Sequence, residues 1–392
     1  MLRFLKWVVL SVLGLAVIGV AAFWAFAPAI VEKSRNTVEA HAPYPVSPAA
    51  QALHDTLFVG DWHADSLLWN RDLTERADYG QVDLPRLAEG GVGLQVFTAV
   101  TKSPAGQNYD SNTDDAFDNI TLIAFGQLWP LRTWTSLTER ALYQAEKLHG
   151  FEQDAPDMLK IIRSAADLEA VLAARAEGAP LIGAMLGIEG GHALEGSLAN
   201  LDRLEEAGYR VIGLHHFFDN ALGGSLHGQS GAGLTGFGRD VVASVANRGM
   251  VIDLAHSSAQ VARDVLAMTD IPLIVSHTGL HSVCDVQRNY PDDLMREIAA
   301  TGGVIGIGYW ADVVCGPISP AGIANVIVAA IAAVGEDHVS LGSDFDGSVG
   351  TGFDASELPA LTHALLSAGL SEEQVRKVMG ENMLRVLRAR LE

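Results

Sequence analysis

Cysteine is nearly absent: the 392 residues include two, Cys284 and Cys315. So small a number excludes a disulfide framework and leaves room for one bridge in an oxidising compartment. Basic residues are also scarce, with 26 Lys and Arg against 47 Asp and Glu, for a formal net charge of -21. The acidic residues are spread along the chain, which argues against nucleic acid or anionic lipid as a partner of the folded domain. Internal repeats and low-complexity tracts are missing. At 49% hydrophobic and 19% charged the composition is globular, and the length suffices for one large domain.

One stretch has no charge at all. Arg3 and Lys6 precede about 25 uncharged residues, 7–31, long enough to cross a bilayer. Trp7 and Trp24 stand near its two ends, where amphipathic rings favour the interface. The reading is a membrane anchor with its basic end cytoplasmic and the rest of the chain on the periplasmic or extracellular face. A cleaved signal is the alternative, but Pro28 would follow its small-x-small site at Ala25-Phe26-Ala27, and such apolar regions usually run only ~7–15 residues. Residues 32–50 are polar, hold three prolines and read as a tether. Residues 51–392 read as one domain.

Within that domain, strand-like runs alternate with helical patterns. Strands are predicted at 57–62, 92–99, 181–188, 210–215, 250–255, 272–276, 303–309 and 339–343. Eight is the number that closes a parallel barrel, so the fold class is α/β, a (β/α)8 TIM-like barrel. The segment 110–178 is longer than one crossover needs and is expected to carry extra helices over one side.

Several of these runs end in chemistry. His63 and Asp65 follow LFVGDWHAD, Glu189 follows LIGAMLGIEG, His256 follows MVIDLAH, His277 follows IPLIVSH, and Asp344 lies in VSLGSDFDG. Strand ends that carry His, Asp and Glu to one mouth of a barrel suit a hydrolytic site for two metal ions. In an extended strand His63 and Asp65, two apart, would share a face. Glu189 could bridge two ions and offset their repulsion. His216 ends YRVIGLHH, with His215 facing the other way; it could bind metal or steady an oxyanion. His192, three residues after Glu189, reads as structural. Asp344 suits proton transfer to a leaving amine, and Asp346 is the weaker candidate for that role. Arg288 could pair with a substrate carboxylate, or with Asp292 or Asp293 in its own loop.

These residues and their order resemble one family. The blocks DWHAD, VDLPRLAEGGVGLQVF, GIEGGH, LHHFFDN, VIDLAHSS, VSHTGLHSVCDVQRNYPDD, LGSDFDG and GENMLRV run from about residue 55 to the C-terminus. Together they are similar to the membrane (renal) dipeptidases, zinc metallopeptidases among the amidohydrolase-like barrels. The resemblance implies dipeptide hydrolysis by a hydroxide bridging two Zn2+ ions. It implies His63, Asp65, Glu189, His256 and His277 as metal ligands, His216 and Arg288 as substrate-binding, and Asp344 as the acid/base, with His216 and Glu189 sharing in catalysis. A dipeptide substrate is among its expectations; the sequence leaves the oligomeric state open, a homodimer included. The chain departs from the pattern at Trp62 and Ala64, where glycine and asparagine are usual, and in a glycine-rich loop at 220–233. Trp62 is expected to point away from the metals. The alternatives are another binuclear hydrolase of the same barrel class, a lactonase or esterase, and a surface protein that binds dipeptides without turnover. A carboxylated bridging lysine, frequent among such hydrolases, has no counterpart at a strand end here.

Overall fold

A computed structural model describes residues 2–392. Nine strands form, β1 (Val59–Ala64), β2 (Val92–Val100), β3 (Leu159–Ile161), β4 (Ile182–Glu189), β5 (Tyr209–Gly213), β6 (Val251–Asp253), β7 (Ile274–Thr278), β8 (Val304–Ile307) and β9 (Val339–Leu341). All pairings are parallel, and eight strands close in the order β1-β2-β4-β5-β6-β7-β8-β9, with Asp61 meeting Leu341 at the seam. The fold is therefore a (β/α)8 barrel. β1, β2 and β4 are buried at every position, as parallel strands covered on both faces must be.

The ends differ from the sequence reading. β1 and β7 run two residues further than predicted, so His63 and His277 lie inside strands. Periodicity reports that a run is apolar but not where its ladder of hydrogen bonds stops. β3 was not predicted: it pairs with the first half of β4, below the point where β5 takes over the same edge. Helices Asn119–Gly126 and Leu137–Asp154 fill the expected insertion. Outer helices start at side-chain caps, Ser136, Ser164, Thr235, Ser258 and Ser319 each accepting a backbone N–H of the first turn, which satisfies donors that no helical carbonyl reaches.

The N-terminal helix runs Leu2–Arg35 and is long and apolar enough to span a bilayer. The segment expected as a tether is instead sewn to the barrel. Glu32 pairs with Arg71, whose other end meets Asp346 at 2.5 Å. Ser348 N donates to Asn36 (2.9 Å), Thr351 N to Thr37 O (2.9 Å) and Glu39 N to Thr351 O (2.8 Å). A polar, proline-bearing composition does not distinguish a free linker from one whose polar groups find partners on a neighbour.

Cys284 and Cys315 are bridged, 31 residues apart. The bond ties the loop after β7, which carries Arg288, to the loop after β8. Closing a loop of that length should contribute about 3–4 kcal/mol through the unfolded state. A Cys284→Ala/Cys315→Ala variant should lose about that much unfolding free energy in urea titration, with a lower midpoint; an unchanged free energy would mean the bridge contributes nothing.

Candidate metal centre

The clustered side chains all emerge at the carboxyl ends of the strands. His63 and His277 stand within β1 and β7, and Glu189 is the last residue of β4. His216, His256 and Asp344 each lie three residues beyond a strand end. His256 and Asp344 adopt left-handed backbone, φ 62° and 60°. Non-glycine residues accept this conformation at a cost of ~1–3 kcal/mol, typically where a site requires the side chain's aim. Gly190, directly after Glu189, has φ 104°, and a Cβ there would lie 2.2 Å from the His192 ring. The tight turn that delivers Glu189 thus needs glycine.

Asp65 does not reach the cluster by strand alternation alone. The β1–β2 register slips between Asp61 and Ala64, and Asp65 sits past the strand at φ -93°, ψ 26°. It still lies 3.4 Å from His63 Nε2. The bulge and the turn together substitute for the extended geometry.

Glu189 is the hub. Its Oε1 lies 3.2 Å from His256 Nε2, 3.5 Å from His277 Nε2 and 3.6 Å from His63 Nε2, while Oε2 is 3.3 Å from His216 Nε2. Three ligand-sized groups result: His63, Glu189 and His277; Glu189, His216 and His256; His63, Asp65 and Asp344. Asp344 therefore adjoins the His63–Asp65 pair, its Oδ1 3.7 Å from His63 Nε2.

The electrostatics call for cations. Asp65, Glu189 and Asp344 are buried together, and like charges so close cannot all stay ionised without compensation. Burial, with Asp65 adding to it, holds Glu189 well above the usual carboxylate range. Burial raises Asp344 to about 8 although His63 pulls the other way. Burial opposes charge on His63, yet Asp65, Glu189 and Asp344 overcome it and lift the imidazole to about 10. His256 and His277 are driven down by burial, Arg288 and their neighbours. Their Nε2 atoms face each other at 3.0 Å and can share at most one proton. The buried His63 Nε2 has no hydrogen-bond partner. Imidazole nitrogens aimed inward around a carboxylate hub, one of them unpartnered, fit divalent metal ions in donor type.

Neighbouring residues fix this arrangement. Asp61 accepts from His63 N (3.0 Å), Gln95 (3.1 Å) and Ser343 N (2.9 Å), bracing the strand behind His63. Ser276 Oγ meets His277 Nδ1 at 2.8 Å, leaving Nε2 for the cluster. Thr98 donates to Asp65 at 2.5 Å. The sequence reading missed these orienting groups; the only trace is the alternation of Asp61 with His63. Trp62 packs with Leu94, Val96 and Met383 on the helix side of β1, away from the cluster.

The cluster opens into a cavity of about 560 Å³. Arg288 lines it, fully buried, 5.8 Å over the Trp310 ring. It donates to His277 O at 2.5 Å, and no carboxylate among the described residues pairs with it. The alternative pairing with Asp292 or Asp293 is not seen: Asp292 accepts from Ser282 N, and Asp293 approaches Arg263. His216 Nδ1 is held at 3.2 Å by Lys102 O, and burial pushes this imidazole down to about 4. His215 turns away to Ser257. His192 packs against Phe218 with its ring tilted 42° to it. Asp346, the weaker acid/base candidate, is not at the site: Ser66, Arg71 and Gln81 N consume its carboxylate. Two residues beyond Asp344 the chain has already turned outward.

A sequence profile described as membrane dipeptidase (peptidase family M19) matches residues 48–391. A protein named Dipeptidase aclJ from Aspergillus oryzae is 31% identical over 83% of this chain and 76% of its own. Dipeptidase ataJ from Aspergillus terreus is 28% identical over 79% and 76%. Among solved structures, a metallo peptidase from Rhodobacter sphaeroides, liganded with a phosphinate mimic of the dipeptide L-Ala-D-Ala, is 26% identical. It superposes with a TM-score of 0.69 over 86% of this chain and all of that one.

Proposed function

Since the chain belongs to the membrane dipeptidase family and is a metal-dependent peptidase, we propose that it hydrolyses dipeptides at a binuclear zinc site built on Glu189. His63 and Asp65 would hold one ion, His256 and His277 the other, and Glu189 both. The observation that carries this reading is the Glu189 carboxylate within 3.2–3.6 Å of four imidazoles. Bound there, a divalent pair supplies an acidified water and polarises the scissile carbonyl.

The chain's own groups perform the remaining steps. His216 donates Nδ1–H to Lys102 O, so the neutral ring presents a bare Nε2 to the cluster and steadies developing oxyanion charge only once that nitrogen gains a proton in the substrate complex. Asp344, whose carboxyl holds a proton unusually well for its type, takes a proton from the nucleophile and passes it to the departing amine. Arg288 pairs with the free carboxylate of a two-residue substrate, replacing the partner it otherwise lacks. A peptide extended beyond the residue that Arg288 holds has no carboxylate at that position and would leave the guanidinium buried and unpaired. Export through the N-terminal helix accords with the Cys284–Cys315 bridge, since such bonds persist in oxidising compartments.

The test compares dipeptides with tripeptides on the zinc-loaded protein and on Arg288→Ala. Wild type should turn over dipeptides and discriminate against tripeptides. A charged hydrogen bond is worth about 1.5–3 kcal/mol, so the variant should lose roughly 10- to 150-fold in dipeptide kcat/KM, mostly in KM, with the tripeptide rate little changed. Equal losses on both substrates, or none, would remove the anchoring role. No dipeptide turnover by zinc-loaded wild type would favour the binding-protein reading.

A further inference from the structure

Outside the N-terminal helix, nine large hydrophobic side chains are exposed among the described residues, and six of them fall between residues 117 and 134. They are Phe117, Leu122, Phe125, Leu128, Leu131 and Trp134, with Leu131 75% exposed. The patch comprises helix Asn119–Gly126 and the turn after it. Asp118 is turned inward to Arg140; the exposed Asp114 and Asp115 precede the patch, and Arg132 within it is paired with Glu139 and Glu146, so the outward face of helix Asn119–Gly126 itself carries no charge. Scattered exposed leucines need no explanation, but a cluster on one short segment does.

We propose that this surface is a second membrane contact, seated in the outer interface of the bilayer, so that the mouth of the active site faces the lipid. The inference rests on reading Leu2–Arg35 as a membrane span. Three observations point to lipid as the occupant. First, Phe125 packs on Trp24 of the span, ring centroids 5.8 Å apart. At 1.5 Å per residue, Trp24 lies about 25 Å along the helix from Trp7. The hydrocarbon layer is ~30 Å thick, so Trp24, and with it Phe125, is at the outer boundary.

Second, the span is not free to swing away. The Glu32–Arg71–Asp346 network and the backbone pairing of Thr37 and Glu39 with Thr351 hold its end to the barrel. Third, Phe23, Ala27, Pro28 and Val31 of the span line the same cavity as Glu189, His256 and Arg288. Whatever depth the span takes, the cavity mouth shares it. A net charge of -21 means the contact is apolar insertion rather than attraction to anionic headgroups, so a zwitterionic surface suffices.

The experiment uses the full chain in phosphatidylcholine vesicles, with a nitroxide on a single introduced cysteine; the native pair is bridged and does not react. Leu131→Cys and Leu128→Cys report the patch, Val17→Cys the span, and Glu297→Cys the outer face of the barrel. Collision with oxygen, which concentrates in lipid, is compared with a water-soluble nickel chelate. The patch labels should show an oxygen-to-nickel ratio several-fold above the Glu297 label and approach that at Val17. If Val17 is lipid-exposed but both patch labels match Glu297, the proposal fails while the span stands. If Val17 also matches Glu297, the span reading fails and the proposal with it. Patch labels shielded from both reagents would mean a second copy covers the surface, which also overturns it.

Discussion

Glu189→Gln is expected to lower bound zinc from two ions per chain to one at most, and kcat/KM by more than ~100-fold. Disturbing even a residue that only orients a ligand costs about 10- to 100-fold in metal affinity or activity, and Glu189, shared like His63 by two of the three ligand groups, is the one carboxylate among the shared residues. Glutamine keeps the shape but presents one oxygen and one N–H2, so a cation on one side meets a donor. The variant should fold. In the metal-free protein burial already disfavours charge on Glu189, so an uncharged amide relieves a crowded anionic pocket. The metal-free melting temperature should stay level or rise, while the rise that zinc produces in wild type disappears. Elemental analysis and thermal melts with and without zinc make the comparison. Two tightly held ions with full turnover would end the bridging role.

The second large effect is at Asp344. Asp344→Asn should reduce kcat by about 10²–10⁴, the span for a general acid/base, with KM within a few-fold and both zinc ions retained. The carboxyl lies 3.7 Å from His63 Nε2 and beside Asp65, close enough to serve instead as a ligand. Two readouts separate the roles. Loss of an ion from the variant would make Asp344 a ligand first. A thioester analogue of the dipeptide, whose thiolate departs without a proton, should recover much of the lost rate if proton delivery is the role. Equal losses on amide and thioester would argue against it.

Legibility in the sequence varied residue by residue, for physical reasons. His63, Glu189, His256 and His277 were visible because a buried parallel strand reads as an unbroken apolar run, and a polar residue at its end stands out. Asp61, Ser276 and Thr98 were not. Each has a polar side chain on an inward strand position, and only the partner across the sheet distinguishes an orienting hydrogen bond from an ordinary buried polar group. Asp346 looked like a second acid/base because it follows Asp344 at a two-residue spacing. The left-handed backbone at Asp344 and Asp346 breaks that spacing and sends Asp346 to Arg71.

The region before the barrel divides in the same way. Length and the lack of charge revealed the apolar helix, since these are local properties. That residues 32–39 pair with residues 346–351 could not be read locally, because the partners lie more than 300 residues away and polar composition is the same in a docked strand and a free tether.

The amino-acid order alone settled the barrel class and the presence of His, Asp and Glu at its strand ends, because apolar periodicity and residue chemistry are written position by position. Tertiary structure decided the hub role of Glu189, the turning of His256 and Asp344 into the mouth, the unpaired state of Arg288, and the placement of the N-terminal helix along the cavity. Each of those depends on distances between segments far apart in the chain, and such distances are fixed only when the sheet closes.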